Sequence, residues 1–187
     1  SARGKLTALG RKMARLPIDP KLARMLLAAS ERDCLAEVLV IVSAMSVQDP
    51  RERPADKQAQ ADQAHAVFKH GQSDFLVWIN IWRYYEAERQ VQTQSQLRKL
   101  CKKDFLSFMR MREWRDIHGQ LVIACRQLGF KPKADLPEEL RYESIHKALL
   151  AGLLGNVAQQ DEGRVFNATR QRKIQIFPGS GQYRKPP

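Results

Sequence analysis

The sequence predicts a mainly α protein: a helical bundle with a long central helix, followed by a short β segment at the C-terminus. Three observations predict it. Apolar residues recur at spacings of three and four through most of the chain. Helix start and stop signals bracket those runs, with Asp19-Pro20 and Ser73-Asp74 ahead of two of them and Gly129 behind the longest. Two-residue alternation appears only after Gly163, at Val165-Phe166 and over Ile174 to Phe177.

Residues 1–18 are basic, with Arg3, Lys5, Arg11, Lys12 and Arg15 and no acid before Asp19; Leu6-Thr7 followed by Leu9-Gly10 reads as a strand end turning into a short helix. Asp19 then stands at a cap position with Pro20 as the first helical residue, and Leu22, Met25, Leu26 and Ala29 follow at helical spacing. A second helix runs from about Cys34 to Val47. Its apolar character nearly all round marks it as central and buried, and Pro50 and Pro54 bound it.

A polar helix over 55–69 places Ala61, Ala64 and Phe68 on one side and is interrupted at Gly71. Ser73-Asp74 caps the next helix, where Phe75, Trp78, Ile79 and Trp82 recur at helical spacing. A polar connector, Gln90 to Gln96, leads to a short basic helix and then to a long one over about 104–128. Its stripe is Trp114, Ile117, Leu121, Ala124 and Leu128, with Arg112, Arg115 and Arg126 roughly opposite. Lys131 to Glu139 is a loop, and a last apolar helix spans about 142–158 before the β-like segment.

Thirty-two Lys and Arg against 20 Asp and Glu give a formal charge of +12 and suggest a polyanionic partner. Nucleic acid, an anionic membrane surface and an acidic protein all remain open on charge alone. No acid follows Glu162, although Arg164, Arg170, Arg172, Lys173, Arg184 and Lys185 do. The most apolar stretch, Leu35 to Met45, is too short for a bilayer and holds Glu37 and Ser43, so no membrane span is predicted. Cys34, Cys101 and Cys125 are odd in number and widely spaced; they read as buried, reduced thiols of a cytoplasmic protein.

The sequence holds no G-x-x-x-x-G-K-[ST] phosphate loop, no H-E-x-x-H pair among His65, His70, His118 and His146, and no G-x-S-x-G. No catalytic or metal-ligating residue is therefore assigned. Trp78, Trp82 and Trp114 at helical spacing read as core rather than as base-stacking platforms.

Leu6-Thr7, Leu9-Gly10-Arg11-Lys12-Met13-Ala14 and Leu16-Pro17-Ile18-Asp19-Pro20 are in order followed by Ile41 to Gln48, Arg53-Pro54-Ala55-Asp56-Lys57, Ser73-Asp74-Phe75 and Asn80-Ile81-Trp82. Arg115-Asp116-Ile117 precedes Gln120-Leu121, and Ile174 to Ser180 closes the series. Together these resemble the C-terminal region of DEAH-box RNA helicases across essentially the whole chain. Arg112-Glu113-Trp114 and Phe177-Pro178-Gly179-Ser180-Gly181 resemble most the bacterial HrpA-type branch. Met109 and His118 depart from many eukaryotic members, which carry basic residues there.

The resemblance implies three parts: the end of a winged-helix region (1–18), a helical ratchet, or helicase-associated, domain (19–160), and the start of an oligonucleotide-binding fold (161–187). Together with Ser1 standing where a Met would begin a chain, it implies a piece of a longer enzyme. That enzyme would be an ATP-dependent RNA helicase whose RecA-like motor domains bind ATP and Mg and hydrolyse the nucleotide, the piece itself needing no cofactor. Its implied role is to line the path of single-stranded or structured RNA. The residues expected to face that RNA are Lys102, Lys103, Arg112, Arg115, Arg170, Arg172, Lys173 and Ser180, although charges opposite a core stripe are more often a solvated face. Two alternatives accompany this reading. One is a module docking a glycine-rich activator protein near Leu16 to Leu27; the other is a free-standing basic helical domain that binds nucleic acid.

Overall fold

The structure, a computed structural model, describes residues 5–183. Arg3, Arg184, Lys185 and the closing Pro186-Pro187 lie outside the described residues.

Thr7 opens the first element. Its hydroxyl accepts a hydrogen bond from Gly10 N at 3.0 Å and caps α1 (Ala8–Met13). Lys5 to Thr7 have no strand partner among the described residues, so the expected strand end is instead a cap. Asp19 behaves as predicted: its carboxylate accepts from Lys21 N at 2.8 Å, with Pro20 first in α2 (Pro20–Ser30). Leu22, Met25, Leu26 and Ala29 are all buried on α2.

Every residue from Leu35 to Ala44 is buried in α3 (Leu35–Met45), which packs against α2 and three helices further along the chain. Such a position suits a helix with no polar face. Its one buried hydroxyl, Ser43, donates to Leu39 O at 2.7 Å. A 3-10 turn (Ala55–Lys57) leads into α4 (Gln58–Ala66), shorter than the 55–69 expected, with Phe68 buried just beyond it.

The polar stretch 90–96 is not a seven-residue connector. Helix α5 (Phe75–Val91) and helix α6 (Gln94–Lys103) are separated only by Gln92 and Thr93, because Thr93 and Gln96 form a reciprocal capping box. Thr93 Oγ1 accepts from Gln96 N at 3.3 Å, and Gln96 Oε1 accepts from Thr93 N at 2.9 Å.

The long helix α7 (Phe108–Gln127) begins four residues later than expected. Residues 104–107 instead form a turn held from outside: Glu52 N donates to Phe105 O at 2.7 Å and Ser107 N to Pro50 O at 2.7 Å, with Phe105 at φ +53°. The predicted end holds, Gly129 adopting φ +85°. The buried stripe of α7 is Phe108, Met111, Trp114, Leu121 and Cys125; Ile117, Ala124 and Leu128 are only partly buried at its edge.

Helix α8 (Tyr142–Gly152) stops six residues short of Ala158, where Gly152, Gly155 and Asn156, all poor helix formers, fall close together. Gly152 also permits the close packing of α8 on α2, since a Cβ there would lie 2.3 Å from Lys21 O and 2.7 Å from Met25 Cγ. Strands β1 (Ala158–Gln160), β2 (Phe166–Ala168) and β3 (Arg172–Ile174) then form an antiparallel sheet in chain order, with Gln159 opposite Asn167 and Asn167 opposite Lys173. None of the strand residues is buried, and the expected alternation over 174–177 leaves the sheet after Ile174.

The three cysteines are buried and unpaired, and burial pushes each thiol up to about 11. No described helix is long and apolar enough to cross a membrane.

Candidate nucleic-acid interface

Helix α6 turns Leu97 and Cys101 inward, four residues apart, which leaves Arg98, Lys99, Lys102 and Lys103 on the opposite, exposed side. Lys102 and Lys103 occupy its last turn, where unsatisfied carbonyls favour cations. The Arg98 guanidinium lies 5.2 Å from the centroid of the Phe108 ring at the start of α7. Beside them runs a groove of about 340 Å³ lined by Arg98, Lys102, Leu106, Ser107, Phe108 and Met109, with one acid, Glu52.

Arg112 is exposed one turn further along α7, three residues from Met109 and four from Phe108. Arg98 and Lys102 thus share a groove with the start of α7, while Lys99, Lys103 and Arg112 are exposed on the same two helices. None of these five cations has an ion-pair partner among the described residues. Arg98 and Lys99 escaped the sequence reading because their face is defined only once α6 is known to begin at Gln94.

Arg115, also expected to face RNA, is placed differently from Arg112. It is half-buried, and its Nε donates to Glu86 Oε1 at 2.5 Å. It lines a second groove of about 540 Å³ between α3, α5, α7 and the 133–136 loop, with Trp82, Arg83 and His118. The His118 ring sits 4.5 Å from the Trp82 ring, and burial pulls its pKa down to about 4, so it is neutral near pH 7.

Arg170, Arg172 and Lys173 are exposed on the sheet. Arg170 and Gln171 take left-handed conformations (φ +61° and +56°) in the turn between β2 and β3. Arg172 and Lys173 are consecutive in β3 and so point to opposite faces. The Ser180 hydroxyl donates to Asp74 Oδ2 at 2.5 Å and accepts from Gln182 N at 3.0 Å, so it is engaged within the protein. Asp74 in turn makes no side-chain cap on α5, contrary to the sequence expectation.

Trp114 is fully buried, and Nε1 donates to Val40 O at 3.1 Å and Ser43 Oγ at 2.9 Å. Trp78 and Trp82 pack around it at 5.9 and 5.2 Å. All three belong to the core or its margin. The apolar side chains that a docked activator would need near the start of the chain, Leu16, Leu22, Met25, Leu26 and Leu27, are also interior. Among the described residues, no group of three or more His, Cys, Asp or Glu side chains is placed to hold a metal ion.

Residues 19–107 match the family described as helicase associated domain (HA2), ratchet-like. The match begins at Asp19, the cap of α2. The ATP-dependent RNA helicase HrpA of Escherichia coli K12 is 42% identical over 184 residues, which is 98% of this chain. The HrpA homolog of Haemophilus influenzae is 40% identical over 183 residues, or 97% of this chain. The chain spans 14% of the length of each of these relatives.

Proposed function

We propose that this chain, whose residues 19–107 match the helicase-associated, ratchet-like family and which is 40–42% identical to HrpA helicases, lines the single-stranded RNA path of an ATP-dependent RNA helicase. The exposed, unpaired cations Arg98, Lys99, Lys102, Lys103 and Arg112 on α6 and α7 carry this reading. Cations on adjoining helices suit a repeating phosphate backbone, whose binding releases condensed counterions and needs no base recognition. The exposed Arg170, Arg172 and Lys173 extend the same chemistry to the sheet.

The sequence carries no phosphate-loop pattern, and among the described residues no group of three or more His, Cys, Asp or Glu is placed for a metal ion. In this proposal nucleotide binding and hydrolysis belong to RecA-like domains elsewhere in the longer protein, and this chain contributes a cationic wall that holds the strand between steps.

The test is a salt titration of RNA binding by the full-length helicase carrying Lys102→Glu and Arg112→Glu. Both side chains are exposed, so the thermal midpoint should stay put. RNA affinity should fall, and the slope of log K against log salt should shrink by about 0.7 for each single-strand phosphate that is no longer neutralised. Unchanged affinity with an unchanged slope would remove this face from the path.

A further inference from the structure

The turn after β3 holds an aromatic side chain that neither the core nor the cationic face uses. Phe177 is 76% exposed. Its ring nevertheless does not hang free, because one side lies against Gly179, where an added Cβ would meet Phe177 Cε1 at 2.6 Å and Cδ1 at 3.1 Å. Only glycine allows the ring to lie so close to the turn.

The turn is itself pinned to the helical body. Asp74, at the start of α5, accepts from Ser180 Oγ at 2.5 Å and from Gly181 N at 2.9 Å, and Gln182 Nε2 donates to His70 O at 3.3 Å. Ser180 N closes the turn on Phe177 O at 2.9 Å. A carboxylate in position to cap α5 is thus diverted to holding the Ser180–Gly181 turn that follows Phe177.

Phe177 stands at a cleft of about 460 Å³ lined also by Arg51, Arg53, His65 and Lys69. Its charges are largely balanced: Arg51 pairs with Asp49 at 2.7 Å, and Arg53 with Asp62 at 2.6 Å. His65 Nε2 is engaged with Phe105 O at 3.0 Å. Lys69 is exposed and has no ion-pair partner among the described residues. A cleft whose arginines are already paired is a poor phosphate track, but its polar walls and fixed aromatic ring suit a flat, neutral, hydrogen-bonding group.

We infer that Phe177 is a stacking platform for one unpaired base of single-stranded RNA, with Gly179 and the Asp74-bound turn holding its ring at the cleft. This rests on the RNA-path reading and adds to it a base contact where the α6–α7 face offers only phosphate contacts. A ring already fixed in place loses little side-chain freedom on stacking, which favours the contact. Stacking on an aromatic is tolerant of sequence because every base presents a π face.

The experiment compares wild-type full-length protein with Phe177→Ala, Phe177→Trp and Gly179→Ala, using a short oligouridine and the same strand with abasic riboses. Phe177→Ala is expected to weaken oligouridine binding on the order of 5- to 100-fold. Phe177→Trp should retain wild-type affinity or exceed it. Gly179→Ala, which displaces the ring without removing it, should weaken binding in the same direction as Phe177→Ala. On the abasic strand wild type and Phe177→Ala should bind alike.

Equal binding of oligouridine by wild type and Phe177→Ala overturns the inference, as does an equal loss on both strands. A lowered thermal midpoint with unchanged affinity also overturns it, by reassigning Phe177 to packing against another part of the longer protein. If reversing Lys102 and Arg112 weakens binding while Phe177→Ala does not, only the stacking platform fails. If neither affects binding, the RNA-path reading fails as well.

Discussion

The helical body and the sheet that follows it use their residues in opposite ways. From α2 to α8 each major helix contributes buried apolar side chains to one core, and α3 is enclosed along nearly its whole length. The strands β1 to β3 contribute no buried residue at all. The helices need one another, whereas the strands are held by their mutual hydrogen bonds and by the turn at Ser180 and Gly181. Stability is therefore concentrated in the helices, and a substitution there should affect it far more than one in the strands.

The largest expected effect sits where α3, α5 and α7 meet. Trp114→Ala removes a fully buried indole together with its bonds to Val40 O and Ser43 Oγ, and should destabilise the protein by about 3 to 5 kcal/mol. Ile174→Ala in β3, half-exposed, should change stability by less than about 0.5 kcal/mol. Urea denaturation of both variants checks the pair; similar losses would mean that the sheet shares the core's cooperativity and would dissolve the contrast.

Overpacking should act next most strongly. Gly152→Ala places a methyl group 2.3 Å from a backbone carbonyl of α2, which cannot rotate away as a side chain could. Parting α8 from α2 should cost about 2 to 3 kcal/mol. The favourable helix propensity of Ala, worth about 1 kcal/mol over Gly, opposes this and sets the smaller bound. A thermal midpoint at or above that of wild type would show that the two helices are not tightly apposed.

What was legible in the sequence follows the same division. Local signals were readable where a residue acts on its own neighbours: the Asp19-Pro20 start, the Gly129 stop and the stripe Leu22, Met25, Leu26 and Ala29 all reappear in the structure. The Thr93–Gln96 capping box was equally local, but it was obscured by the polar residues around it. The turn at 104–107 was not legible, because its backbone partners are Pro50 and Glu52, far earlier in the chain. The candidate site divides likewise. The exposure of Arg112 follows from its place opposite an inward stripe, whereas Arg115 meets Glu86 from another helix and Ser180 meets Asp74 across 106 residues.

Asp74 joins the two regions and offers the finest probe of their separation. It is exposed, it does not cap α5, and its carboxylate oxygens are both taken by the turn that follows β3. Asp74→Ala should therefore leave the helical body almost untouched, changing global stability by less than about 1 kcal/mol. It should instead free the turn, so that amide exchange at Gly181 quickens while amides in α3 keep their protection. Asp74→Asn should restore part of the effect at most, since a neutral amide offers one acceptor oxygen where the carboxylate offers two. If exchange in α3 quickened together with the turn, the sheet and the helices would open as a single unit, and the contrast between them would not hold.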